Sequence, residues 1–152
     1  MGAAATVKGD ARRPGIPVAV ATAILFALVC YLNTLSNQFV FDDIDIIALN
    51  PLVTSPAPDL PKIFTSHYWQ HLTPSGDLYR PLVILSYAIN HTIGGIDPAG
   101  YHIVNLLLHA LCTGLVVSLG FRFGLSMPGA LAAGLLFAAH PIHTEAVAGL
   151  EI

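Results

Sequence analysis

Charge is what this chain has least of. Asp, Glu, Lys and Arg make up 10% of its 152 residues, where a soluble domain carries about 25%. Hydrophobic residues reach 55% and the mean hydropathy is +0.70, which is a membrane composition. Basic excess is missing as well. A formal charge of −3 and a pI near 6.1 give no reason to expect a nucleic-acid partner. The only cysteines, Cys30 and Cys112, sit inside apolar runs and make neither a disulfide framework nor a zinc site. There is no internal repeat, no low-complexity tract and no His-Glu-x-x-His motif. Asp43-Ile44-Asp45 spells a DxD, but no Rossmann-like pattern surrounds it, so it carries no metal argument and the residues require no metal or cofactor.

Long uncharged runs are what the chain has instead. Residues 16–35 are twenty without a charge, enough to cross roughly 30 Å of hydrocarbon as a helix. The run is longer than the roughly 7–15-residue core of a signal peptide, and no small-x-small cleavage site closes it, so it reads as a retained anchor. A second span is expected over 101–121 and a third over 128–150. Residues 81–93 are apolar but too short to cross, and read as an interfacial or protein-buried helix. Residues 1–15 read as a disordered cytoplasmic tail.

The basic residues Lys8, Arg12, Arg13 and Arg122 flank the spans, so the positive-inside rule places 1–15 and the Arg122 loop in the cytoplasm. The loop 36–100 is then on the outer or lumenal side. It is rich in proline, and Leu60–Gln70 reads as a short interfacial helix with Phe64, Tyr68 and Trp69 at headgroup depth. Depth arithmetic at 1.5 Å per residue puts His109 and His140 at one level, and His102 level with Glu145. His102, Asn105 and His109 share one helix face. Ionisable groups inside a bilayer are costly and face protein or a wet cavity, so His102, Asn105, His109, His140, His143 and Glu145 form a candidate pocket. Their plainer role is interhelical hydrogen bonding. Pro141 interrupts the helix between His140 and His143.

The stretch Phe39-Val40-Phe41-Asp42-Asp43-Ile44-Asp45 follows the first span directly. Such acids serve as helix caps. Placed where a lipid-borne and a water-borne substrate would meet, Asp42 or Asp43 is equally a candidate general base. Arg80 is the stronger candidate anion-binding cation of the loop, because its planar fork can hold an oxyanion such as a phosphate in two-pronged fashion. Lys62, on a flexible stem, is the weaker candidate.

FVFDDIDIIALNP, LYRPL, GYHIVNLLLHAL and AAHPIHTEAVAG, in that order, resemble the N-terminal part of the transmembrane-and-TPR-repeat O-mannosyltransferases and their bacterial relatives, within the GT-C superfamily. The resemblance covers residues 16–149. It implies an all-α membrane fold, in which 16–152 is a partial GT-C-like domain: three transmembrane helices, with interfacial and non-spanning helices in a long outer loop. It further implies a polyprenyl or dolichyl phosphate sugar donor and a hydroxyl acceptor such as protein Ser or Thr. The site implied lies on the non-cytoplasmic side of a bacterial inner membrane or the endoplasmic reticulum, with Asp42 or Asp43 as base. Other members continue into further spans and tetratricopeptide repeats, so this 152-residue chain is expected to be inactive alone. A non-catalytic membrane anchor or truncated remnant is the alternative, and a proton-coupled transporter fragment a weaker one.

Overall fold

The computed structural model describes residues 15–73 and 75–149. The tail expected to be disordered, with Lys8, Arg12 and Arg13, lies outside the described residues apart from Gly15, as does Leu150 at the end of the third apolar run. Among the described residues every regular element is helical. They run α1 Gly15–Tyr31, α2 Pro51–Thr54, α3 Leu60–Thr65, α4 Pro81–Gly94, α5 Pro98–Arg122, α6 Met127–Ala139 and α7 Thr144–Ala148.

Proline sets most of the starts. Each helix from α2 to α6, and the 3-10 turn Pro141–His143, carries proline in its first two positions. There the absent N–H has no partner to lose and the fixed φ is already helical. Side chains complete several caps: Asn50 accepts from Leu52 N–H, Asp59 from Lys62 N–H and Asp97 from Ala99 N–H. Helix α4 ends at Gly95, whose φ of 68° reverses the chain into α5.

Helices α1, α5 and α6 pack together through small residues. Ala19, Ala23 and Ala27 recur every fourth residue on α1 and are buried. A Cβ on Gly114 of α5 would come within 2.9 Å of Ile24, and one on Gly134 of α6 would overlap Val117. Such close backbone approach is how helices associate in lipid, where burying an apolar side chain yields little.

The opposite faces stay apolar and open. On α5, Ile103, Leu107, Leu111, Leu115 and Leu119 fall every fourth residue and are exposed, and on α1 Val18, Leu25 and Val29, seven and four residues apart, are exposed along one face. Contiguous apolar surface of that extent belongs against lipid. Two helical runs, Gly15–Ser36 and Pro98–Arg122, are long and apolar enough to cross a bilayer.

The third run departs from the continuous span expected over 128–150. Helix α6 stops at Ala139 after 13 residues, about 20 Å at 1.5 Å per residue. His140 turns extended, a 3-10 turn follows, and α7 is only five residues long. The cause is Pro141, which offers no N–H to continue the helix.

The segment between α1 and α5 has its own core. Ile46, Ile47, Val53, Ile63, Tyr68, Ile84, Tyr87 and Ala88 close over Tyr101 at the start of α5, and each large apolar side chain so buried is worth about 1.5–3 kcal/mol. This corrects the bounds of the Leu60–Gln70 helix and the headgroup placement of Tyr68. The helix ends at Thr65, Tyr68 is buried within the loop core, and Trp69 is half-buried with its ring 5.3 Å from that of Tyr68.

Candidate active site at the mouth of the bundle

Beyond α1 the chain passes through the 3-10 turn Leu32–Ser36 and runs extended from Asn37. At Phe41 the backbone takes φ 45°, a left-handed conformation that costs a side-chain-bearing residue about 1–2 kcal/mol. The turn leaves Phe41 85% exposed and starts a helical turn at Asp42 that becomes π-helical over Ile44–Ala48. Consecutive residues on a helix point about 100° apart, and the two acids part accordingly. Asp42 is exposed, whereas Asp43 is 3% exposed. The Oδ2 of Asp43 accepts the N–H of Val40 at 3.0 Å.

Around Asp43 gather groups from three other segments. Tyr87 of α4 is hydrogen-bonded to the side chain of Tyr68, and it senses the negative charge of Asp43 and the positive charge of Arg80. The Arg80 guanidinium lies 5.5 Å from the centre of the Tyr68 ring, within range of a cation–π contact. Burial above all, then Tyr68 and Asp43, holds the Tyr87 phenol protonated well above its ordinary 10.0, against a weaker opposite pull from Arg80. His102 of α5 is 0% exposed and interacts electrostatically with Asp43. Backbone of Val147 and Asn37 lies beside its ring, yet the geometry is too poor for a hydrogen bond to either nitrogen.

The remaining candidates lie deeper or along the rim. Asn105 donates to the Gly149 carbonyl at 3.4 Å, and His109 donates from Nε2 to the Ala138 carbonyl at 3.2 Å. The His140 Nδ1 accepts Ile142 N–H, and Tyr31 donates to the His140 carbonyl. His143 packs 5.0 Å from the His109 ring and 4.3 Å from Phe137. His109 thus fastens α5 to the end of α6, and Asn105 fastens it to the residue that follows α7. Glu145 faces a cleft of about 370 Å³ shared with Val40, Phe41 and Thr144, which brings it to the same end of the bundle as the acid pair. Among the described residues no three of His, Cys, Asp and Glu converge to hold a metal ion.

Sequence reasoning missed Tyr87 as a site residue. Its one signal was a phenol in the middle of a mostly apolar helix. It also gave Tyr68 to the membrane interface, because an aromatic in a loop carries no mark of which face it turns inward.

No family model matches the chain, and no solved structure does. Curated proteins do. The chain is 46% identical over 127 residues to the protein O-mannosyl-transferase Tmtc1 of Drosophila melanogaster, covering 82% of this chain and 15% of that protein. It is 47% identical over 130 residues to TMTC2 of Mus musculus, 81% of this chain and 15% of that one. It is 38% identical over 142 residues to TMTC1 of Homo sapiens, 90% and 16% respectively. The chain therefore spans about 15% of the length of these relatives. Over most of its length the chain is a homologue of one part of the TMTC protein O-mannosyl-transferases.

Proposed function

We propose that this chain forms part of a membrane glycosyltransferase that moves a mannose-like sugar from a polyprenyl phosphate to a Ser or Thr hydroxyl of a protein. Asp42 is the general base. The acceptor hydroxyl gives its proton to the Asp42 carboxylate as its oxygen bonds to the anomeric carbon. The bond from that carbon to the phosphate breaks on the opposite face, and its electron pair leaves with the phosphate. The observation that carries this assignment is the split between the two acids: Asp42 is open to a substrate, and Asp43 is engaged within the loop core. Asp43, with Tyr87 and Tyr68, is the positioning group that fixes the turn bearing Asp42. Of the two cations of the outer loop, Arg80 is the one coupled to this group, and it is assigned to the leaving phosphate.

Topology follows from the same reading. The Arg122 end of α5 is cytoplasmic and the His102 end outer, and α6 with the broken segment after it is the third membrane element. The test is transfer from a polyprenyl-phosphate mannose to a Ser/Thr peptide by the membrane-reconstituted polypeptide that carries this segment. Asp42→Asn should lower the rate by about 10²–10⁴, the usual worth of a general base, with helix content unchanged. Full rate in that variant would remove the assignment.

A further inference from the structure

The outer loop holds a second polar cavity, separate from the Asp43 group. It measures about 250 Å³ and is lined by Asn50, Lys62, Ser66, Gln70 and His71 together with two apolar side chains. No carboxylate lines it. Asn50, 1% exposed, commits its side-chain oxygen to Leu52 N–H, which leaves its amide hydrogens uncommitted. Ser66 supplies a hydroxyl and Gln70 an amide. Lys62 adds an ammonium that has no acid partner among the described residues; Asp59, its neighbour in sequence, is taken by the Lys62 backbone N–H. His71 adds an imidazole whose ring nitrogens have no hydrogen-bond partner among the described residues, and buried polar groups left so call for an explanation.

A cavity rich in donors, cationic and free of acid is complementary to an anion with several oxygens. The rim adds a location. Leu60, Phe64 and Leu72 are exposed around the same loop, and exposed apolar side chains beside a cation are the pattern of a segment held at the headgroup layer. We propose that this cavity binds a phosphate group, carried either by a membrane lipid or by a small soluble ester. The proposal does not depend on the transfer reading.

Trp69 makes the test direct, being the only tryptophan of the chain and two residues from His71. The chain in dodecyl maltoside, which contains no phosphate, is titrated with inorganic phosphate and with dioctanoyl phosphatidic acid while Trp69 emission is followed. Sodium chloride at matched ionic strength is the blank. A saturable change is expected with at least one ligand. Lys62→Gln should weaken it about tenfold, the loss of one charge-assisted contact, and His71→Asn should weaken it as well, while Lys62→Arg should stay within about threefold because the charge remains. Saturation by the lipid at a tenfold lower concentration than by the free ion assigns a headgroup, and equal saturation assigns a soluble phosphate. A response matched by chloride, or one that both Lys62→Gln and His71→Asn leave intact at native helix content, overturns the proposal. Should both variants lose helix, the chloride comparison on the unaltered chain still decides.

Discussion

Exchanging the two neighbouring acids one at a time should have opposite consequences, and the sizes follow from their surroundings. Asp43 is buried and accepts the Val40 N–H at 3.0 Å. A hydrogen bond to a charged group is worth about 1.5–3 kcal/mol, and a neutral one about 0.5–1.5 kcal/mol. Asp43→Ala removes the acceptor and strands the Val40 donor, so it should cost about 1.5–3 kcal/mol. Asp43→Asn keeps an oxygen in place and loses only the charge assistance, a difference of about 1 kcal/mol. Asp42 is exposed and no backbone donor is satisfied by it, so Asp42→Ala and Asp42→Asn should leave stability unchanged. Unfolding in mixed micelles, with rising dodecyl sulfate as denaturant, measures all four. Trp69 reports locally, since it packs against the loop core that holds Tyr68 and Tyr87, and circular dichroism reports the bundle. The reasoning fails if Asp42→Ala costs as much as Asp43→Ala, or if Asp43→Ala is silent.

Two further outcomes can be measured on the same preparation. Gly134→Ala drives a methyl into Val117 between α5 and α6, an overpacking worth about 1–3 kcal/mol. Val117→Ala should restore part of that loss, so strictly additive single and double variants would contradict the packing. Tyr87 has a raised folded pKa, so its stabilising contribution is complete below its ordinary 10.0 and is lost as pH climbs beyond it. Above pH 10.0 stability should fall by up to about 1.4 kcal/mol per pH unit, less steeply in Tyr87→Phe, and ultraviolet titration should find one fewer phenol that resists ionisation in Tyr87→Phe than in the unaltered chain. An identical slope in Tyr87→Phe would show that the phenol is not shielded.

Much of the bundle was legible because membrane helices announce themselves by composition. The uncharged run after Gly15 and the run from Tyr101 need no partner to be recognised, and α4 was marked by its apolar stretch and by the glycines that end it. Pro51 read only as a loop residue, yet it opens a helix, whereas Pro61 fell inside the expected Leu60–Gln70 helix and sits in the first turn of α3. A proline signals that a helix does not continue through it, and the same residue serves equally well as a first turn. Depth arithmetic put His109 level with His140, and it is His143 whose ring meets His109, because the break at Pro141 swings the chain back. The unequal exposure of Asp42 and Asp43 was beyond reach. It rests on a left-handed turn at Phe41, a residue type with no preference for one. The Tyr68–Tyr87 pairing was hidden for another reason, since it joins a loop to a helix across a separation that no periodicity spans.

Pro98 has a mechanical consequence. A pyrrolidine ring cannot join a hydrogen-bonded turn wound upstream of it, so α5 cannot lengthen backward when the surrounding bilayer thickens. Its upper end is a fixed stop, and adjustment to lipid must come from tilting or from the Arg122 end. His102, four residues past that stop, therefore keeps its place in the helix relative to the acid-bearing turn.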